Sequence, residues 1–64
     1  MNRRAHGLRT RLAHEAARLM AEQGIRDYGV AKRKAAERAG IRDERDLPAN
    51  REIEAALRDY QLLF

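Results

Sequence analysis

Three helix-breaking positions, Gly24, Gly40 and Pro48, divide this chain into segments of helical length. Glycine adopts the left-handed backbone conformation that ends many helices, and proline lacks the amide proton that a helix interior requires. Each glycine is followed by an isoleucine, Ile25 or Ile41, which we expect to fold back onto the helix before it. The breaks predict three helices, near residues 8–23, 28–39 and 50–63.

Apolar residues recur at intervals of three and four within these segments, which is the spacing of one helix face. In the first segment they are Leu8, Leu12, Ala16, Leu19 and Met20, and in the third they are Ile53, Ala56, Leu57, Tyr60 and Phe64. The same face of the second segment is Tyr28 and three alanines, so a neighbouring helix can approach it closely. Asp27 and Asn50 stand where the N-caps of the second and third helices are expected.

The chain has room for one small domain, because 64 residues lie near the lower limit for independent folding. We therefore predict a single all-α domain over residues 1–64, an orthogonal three-helix module of helix-turn-helix-like form. Residues 42–47 are charged and aperiodic, which indicates a connection between the second and third helices. The expected core consists of Leu12, Leu19, Met20, Ile25, Ala35, Ile41, Ile53, Leu57 and Tyr60.

Charge is distributed unevenly along the chain, whose net charge is +4. Residues 1–40 carry ten Lys or Arg against four Asp or Glu, and residues 41–64 carry four against six. Such an asymmetry indicates a surface that faces a polyanion. Twelve of the fourteen basic residues are Arg, however, and Ala is equally abundant, which is also typical of a GC-rich genome.

Several classes of protein are disfavoured by what the sequence lacks. It has no cysteine, no run approaching the roughly 20 apolar residues of a membrane span, and no apolar block after the basic N-terminus. We expect a soluble, cytoplasmic protein without a membrane partner.

Residues that enzymes use for catalysis are scarce. There is no Ser or Cys, so Thr10, Tyr28 and Tyr60 carry the only side-chain hydroxyls. The four glycines are too widely spaced for a phosphate-binding loop. The segment from His14 to Arg18 has an arginine where the zinc-protease helix needs its second histidine. We expect no enzymatic activity, metal or cofactor in this chain.

The second helix carries the densest basic cluster: Lys32, Arg33, Lys34 and Arg38. This cluster is a candidate site for nucleic acid or another anion. The alternative interpretation is structural pairing, with Arg33 bound to Glu37 on its own helix. In that case Glu52 or Glu54 of the third helix neutralises the remaining cations.

A second basic row lies on the first helix, at seven-residue spacing: Arg4, Arg11 and Arg18. The row can follow a phosphate backbone, or it can form ordinary surface pairs with Glu15 and Glu22, each four residues further on.

The chain ends in three large apolar residues, Leu62, Leu63 and Phe64. Leu62 lies about half a turn away from the apolar stripe of the third helix. An apolar side chain on the wrong face predicts an interaction surface, covered by a downstream domain of the same chain or by a second copy through the third helix.

Residues Leu19–Gly24 and Ala35–Ile41 resemble two pieces from the start of tetracycline-repressor-type regulators, "Leu-Phe-Ala-Glu-x-Gly" and "Ile-Ala-x-x-Ala-Gly-Val". The resemblance implies a helix-turn-helix-like fold. It covers less than half the chain. Where that family has its recognition helix, this sequence has a helix bearing Glu52, Glu54 and Asp59, which the phosphates of DNA would repel.

A resemblance over residues 12–64 is carried by Ala31–Ala36, Leu47–Leu57, Tyr60 and the terminal Leu63-Phe64. These pieces look like the N-terminal segment of uncharacterised proteobacterial proteins that are longer and resemble nucleotidyltransferases. Some of these relatives are named UDP-N-acetylmuramate–alanine ligase. The resemblance implies an N-terminal helical accessory domain of a longer protein. The Gly-Ser and Asp motifs of the catalytic part are absent here, so no catalytic residue is carried over.

Two functions are therefore expected. The first is a non-catalytic accessory or interaction domain of a bacterial nucleotidyltransferase-like protein. The alternative is a helix-turn-helix-like nucleic-acid-binding module that uses the basic second helix.

Overall fold

The computed structural model describes the backbone of residues 3–63 and the side chains of residues 7–63. It contains three α-helices, α1 (Arg3–Gln23), α2 (Tyr28–Ala39) and α3 (Asn50–Leu63), and a short 3₁₀ turn at Glu44–Asp46. The predicted all-α, three-helix module is confirmed.

The first helix begins five residues before its predicted start, at Arg3 instead of residue 8. The prediction relied on apolar periodicity, and the residues before Leu8 carry no apolar stripe. Gly7 also weakens the helical signal, although no other part of the molecule lies within 4 Å of where its Cβ would be.

The predicted ends of α1 and α2 are confirmed by the backbone. Gly24 and Gly40 have φ angles of 69° and 72°, in the left-handed region. The Gly40 amide donates to the Glu37 carbonyl at 3.2 Å, and the Ile41 amide donates to the Ala36 carbonyl at 2.8 Å. These two bonds form a Schellman motif. It folds Ile41 back onto α2, as the sequence predicts.

The start of α2 is also as predicted, because the Asp27 carboxylate accepts the Gly29 amide proton at 2.8 Å. The predicted cap of α3 is wrong. Asn50 is the first helical residue, and the carbonyl of Ala49 accepts the first helical bonds, from Glu52 and Ile53 at 3.0 and 3.2 Å. The Glu52 carboxylate then reaches back to the Ala49 amide at 2.9 Å, which is half of a capping box.

Helix α1 lies at the centre of the fold. It packs against α2, α3 and the 3₁₀ turn, whereas α2 and α3 have hardly any direct contact within the described residues. An ion pair between Glu15 and Arg38 fits an α2 that runs antiparallel to α1. Bonds from Arg9 to Glu52 and from Tyr60 to Glu22 show that α3 runs in the same direction as α1.

The core is built largely from alanine. Seven of its buried apolar residues are alanines, namely Ala13, Ala16, Ala17, Ala31, Ala35, Ala36 and Ala56. Larger buried side chains are few: Leu12, Leu19, Met20, Ile53 and Pro48. Small side chains let helix axes approach towards the lower end of the usual 8–10 Å range. The fold therefore depends on close helix contact more than on bulky packing.

Five of the nine predicted core residues are buried: Leu12, Leu19, Met20, Ala35 and Ile53. Ile25, Ile41 and Leu57 are half-buried and pack against the core. Tyr60 is half-buried, and its hydroxyl reaches the surface. The sequence interpretation favours large apolar residues and therefore misses most of the alanines.

Candidate interaction surfaces

The C-terminal part of α3 exposes two leucines. Leu62 is 81% exposed and Leu63 is 77% exposed, the only large apolar side chains so exposed among the described residues. Both leucines of the predicted interaction surface are therefore open to solvent, and the interaction itself stays a prediction. Phe64, the third predicted member, lies outside the described residues.

The two leucines point to different sides of α3, because neighbouring helix residues are about 100° apart. Leu63 borders a shallow groove of about 140 Å³, which is lined by His14, Ala56, Asp59, Tyr60 and Leu63. Leu62 lies further round the helix, on its outer side. We call Leu62, Leu63 and this groove the α3 apolar surface. The part of the groove on α1 was not predicted, because His14 gives no apolar signal in the sequence.

A polar chain borders this surface at the end of α1. The Tyr60 hydroxyl donates to the Glu22 carboxylate at 3.1 Å, and Glu22 also pairs with Arg18 at 3.5 Å. The hydrogen bond to Glu22 raises the pKa of Tyr60, because it favours the protonated phenol. These contacts hold the aromatic ring of Tyr60 beside the groove.

The four basic residues predicted on α2 do not form one surface. Successive residues turn by about 100° around a helix, so Lys32, Arg33 and Lys34 point in three directions. Among the described residues, no carboxylate lies within ion-pair distance of these three. Arg38 is different, because it pairs with Glu15 of α1 at 3.2 Å.

The structural pairing predicted for this cluster is wrong in its partners. Glu52 binds Arg9, and Glu54 binds Arg58 at 3.4 Å. Neither reaches α2, because α3 lies on another side of α1. The predicted pair between Arg33 and Glu37 does not form within ion-pair distance.

Pairing on α1 follows the prediction at one position only. Arg18 pairs with Glu22 as expected. Glu15 instead bonds to Arg38 across the helix interface and leaves Arg11 without an ion-pair partner in the described part of the chain.

A second groove, of about 330 Å³, lies on the surface between α1 and α2. It is lined by Leu8, Arg11, Glu15, Ala35, Arg38 and Ala39. The groove therefore has an apolar floor, formed by the leucine and the two alanines, and is bordered by two guanidinium groups and one carboxylate. We call this the α1–α2 groove. The sequence contains a signal for it in the seven-residue basic row, but the partner of Glu15 depends on how the helices pack.

The described residues contain no group of three His, Asp or Glu side chains placed to hold a metal ion. Thr10 and Tyr60 lie on different grooves, and Tyr60 is engaged with Glu22. Over the same residues, no helix combines the length and apolar character needed to cross a membrane.

Comparison with known proteins gave no match to any protein-family model, curated protein or solved structure.

Proposed function

We propose that this chain is a non-catalytic helical interaction domain, which binds a protein partner through the α3 apolar surface. The observation that supports the proposal most strongly is the exposure of Leu62 and Leu63, at 81% and 77%. Single exposed leucines are ordinary on protein surfaces. Two adjacent ones, of which Leu63 lines an apolar groove and Leu62 lies on the outer side of the same helix, favour a binding surface.

The partner is an apolar surface of another polypeptide. The resemblance to nucleotidyltransferase-like proteins suggests a catalytic domain, to which this module is an accessory. The polar contacts around Tyr60 suit the role, since they hold one wall of the groove in place before binding. A preformed site loses less entropy on association than one that has to order itself.

The expected affinity for a second copy follows from the area available. Burying a leucine fully contributes about 1.5–3 kcal/mol, so a symmetric pair that buries two from each copy gains about 6–12 kcal/mol. Association costs about 4 kcal/mol or more in lost translational and rotational freedom. The remainder is of the order of the roughly 4 kcal/mol that a Kd near 1 mM represents. A surface made for another partner therefore also pairs weakly with itself when that partner is absent.

Sedimentation equilibrium at about 0.15 M salt, where charge repulsion is screened, tests this proposal. We expect the average mass to rise above the monomer's 7.4 kDa as concentration approaches about 1 mM. Leu62→Glu should restore the monomer mass. Gln61→Glu is the matched control, because it adds the same charge at the neighbouring exposed position, and it should leave association intact.

Amide shifts in nitrogen-labelled protein should locate the contact. Concentration-dependent shifts are expected around Ala56, Tyr60 and Leu63. A wild-type chain that stays at 7.4 kDa throughout, or a Leu62→Glu variant that associates as well as Gln61→Glu, would contradict the proposal.

A further inference from the structure

The α1–α2 groove brings two arginines from different helices together over an apolar floor. Arg11 comes from α1 and Arg38 from α2, and both line the groove with Ala35 and Leu8. Glu15 is the only carboxylate in the lining. The groove therefore carries more positive than negative charge.

The carboxylate of Glu15 holds one of the two arginines. Its distance to Arg38 is 3.2 Å, and the side chains are 28% and 57% exposed. Ion pairs with such access to water are weak, because solvent screens them. An external anion can thus replace Glu15 on Arg38 at little cost. Arg11 forms no ion pair with the described residues, so an anion can bind it without displacing a carboxylate.

One more cation continues the row on α2. Lys34 lies one helical turn before Arg38, on the same side of that helix. Arg18, two turns after Arg11 on α1, pairs instead with Glu22 beside Tyr60. A row of cations of this kind suits a chain of phosphates better than a single anion.

The chemistry of the groove favours a nucleic-acid backbone over exposed bases. Proteins that bind single strands stack bases on aromatic side chains. Neither Tyr28 nor Tyr60 lines this groove. Arginines without such rings bind phosphates and do not read sequence.

We propose that the α1–α2 groove binds the phosphate backbone of double-stranded DNA. Arg11 and Arg38 contact phosphates, and Glu15 is an internal competitor that a phosphate displaces from Arg38. This site differs from the basic cluster predicted on α2, since it uses a residue of α1 and leaves Lys32 and Arg33 outside. It is independent of the association proposed for the α3 apolar surface.

Fluorescence anisotropy with a short labelled DNA duplex tests the groove. Losing one phosphate contact should lower affinity about tenfold at about 50 mM salt, and should reduce the salt slope by about 1. We expect this of Arg11→Gln and of Arg38→Gln. Arg51→Gln is the control, because Arg51 is an exposed, unpaired arginine on α3 within the described residues, and its effect should be clearly smaller.

Removing the competing carboxylate should have the opposite effect to removing an arginine, which makes it the more decisive test. Glu15→Gln should tighten DNA binding several-fold more than Glu37→Gln, which makes the same change in net charge at an exposed position outside the groove. Circular dichroism of each variant shows whether the helices remain. Equal effects of Glu15→Gln and Glu37→Gln would overturn the proposal, as would equal effects of Arg11→Gln and Arg51→Gln.

Two further measurements distinguish the DNA site from a free-anion site and from the α3 apolar surface. Inorganic phosphate, at the phosphate concentration of the duplex, should leave the amide signals of Arg11 and Arg38 unshifted; shifts equal to those with DNA would assign the groove to a free anion instead. Leu62→Glu and Gln61→Glu should bind DNA alike. No duplex binding at about 50 mM salt would refute the DNA site and leave the α3 proposal untouched.

Discussion

Glu52 serves two parts of the fold at once. Its carboxylate accepts the Ala49 amide at the start of α3, and it also binds Arg9 of α1. The hydrogen bond from the Ala49 amide is the main cause of the lowered pKa of Glu52, with the Arg9 guanidinium contributing. One side chain therefore caps α3 and joins it to α1.

Replacing Glu52 tests both contacts together. We expect Glu52→Ala to lower the free energy of unfolding by about 1–2 kcal/mol, because a charge-assisted bond to the helix start is lost. Glu54→Ala is the control. It removes only an exposed pair with Arg58 and should cost about 0.3–0.5 kcal/mol. Urea unfolding followed by circular dichroism measures the difference, and equal losses would show that the cap contributes nothing.

The contrast between Asn50 and Glu52 shows what sequence can say at this scale. Asn50 has the right residue type for a cap, and the sequence therefore predicts it as one. Which residue becomes the N-cap depends on the backbone turn after Pro48. Pro48 is fully buried, so packing against the rest of the fold fixes where that turn lies. The acidic side chain three positions into α3 is visible in the sequence, but its bond to Arg9 spans 43 residues.

Two glycines have opposite effects on the stability of the helices. Gly40 ends α2 in the left-handed region, where a Cβ is unfavourable. Gly7 lies inside α1 in open space, where a Cβ meets nothing. The same substitution should therefore have opposite effects at the two positions.

Replacing each glycine by alanine in turn allows the two effects on the free energy of unfolding to be measured. Gly40→Ala should lower the free energy of unfolding by about 1–2 kcal/mol. Gly7→Ala should raise it by about 0.5–1 kcal/mol, because a helix interior favours alanine. Thermal and urea unfolding give both values. A neutral or destabilising Gly7→Ala would mean that α1 starts after residue 7, as the apolar pattern alone predicts.

The elements were predictable where local chemistry decides them. The bounds of α2 and α3 follow from Gly40, Asp27 and the apolar stripe of α3, all of which act within one turn of chain. Four of the seven core alanines, Ala16, Ala31, Ala35 and Ala56, lie on the predicted apolar faces. The other three, Ala13, Ala17 and Ala36, and the Arg38 partner were not predictable in this way. They depend on which helix faces which, and no pattern within one helix records that.

At the scale of the whole molecule, α1 sets the dimensions. Its 21 residues at about 1.5 Å per residue match the longest dimension of the fold, 31 Å. The radius of gyration is 10.9 Å, close to the roughly 11 Å expected of a folded chain of this length. Both flanking helices pack against this one helix.

Stability should fall at both ends of the pH range. The folded pKa of Glu52 lies below its ordinary 4.5, so its contribution is complete above pH 4.5 and is lost as pH falls through the lowered value. The folded pKa of Tyr60 lies above its ordinary 10.0. Its contribution is complete below pH 10.0 and is lost as pH rises through the raised value.

Two variants distinguish the loss of stability at low pH from the loss at high pH. The measurement is thermal unfolding followed by circular dichroism. The difference in Tm between wild type and Glu52→Ala should be constant near neutral pH and should shrink below pH 4.5. The difference between wild type and Tyr60→Phe should shrink above pH 10.0. Differences that ignore pH would mean that neither bond forms in solution.

Helices α2 and α3 are joined through α1 and have hardly any direct contact within the described residues. Substitutions on the outer sides of the two flanks, at residues that share no partner on α1, should therefore combine additively. For a lineage under selection, this means little epistasis between the flanks. The two proposed binding surfaces lie on different flanks, so each can change without the other in a chain of only 64 residues.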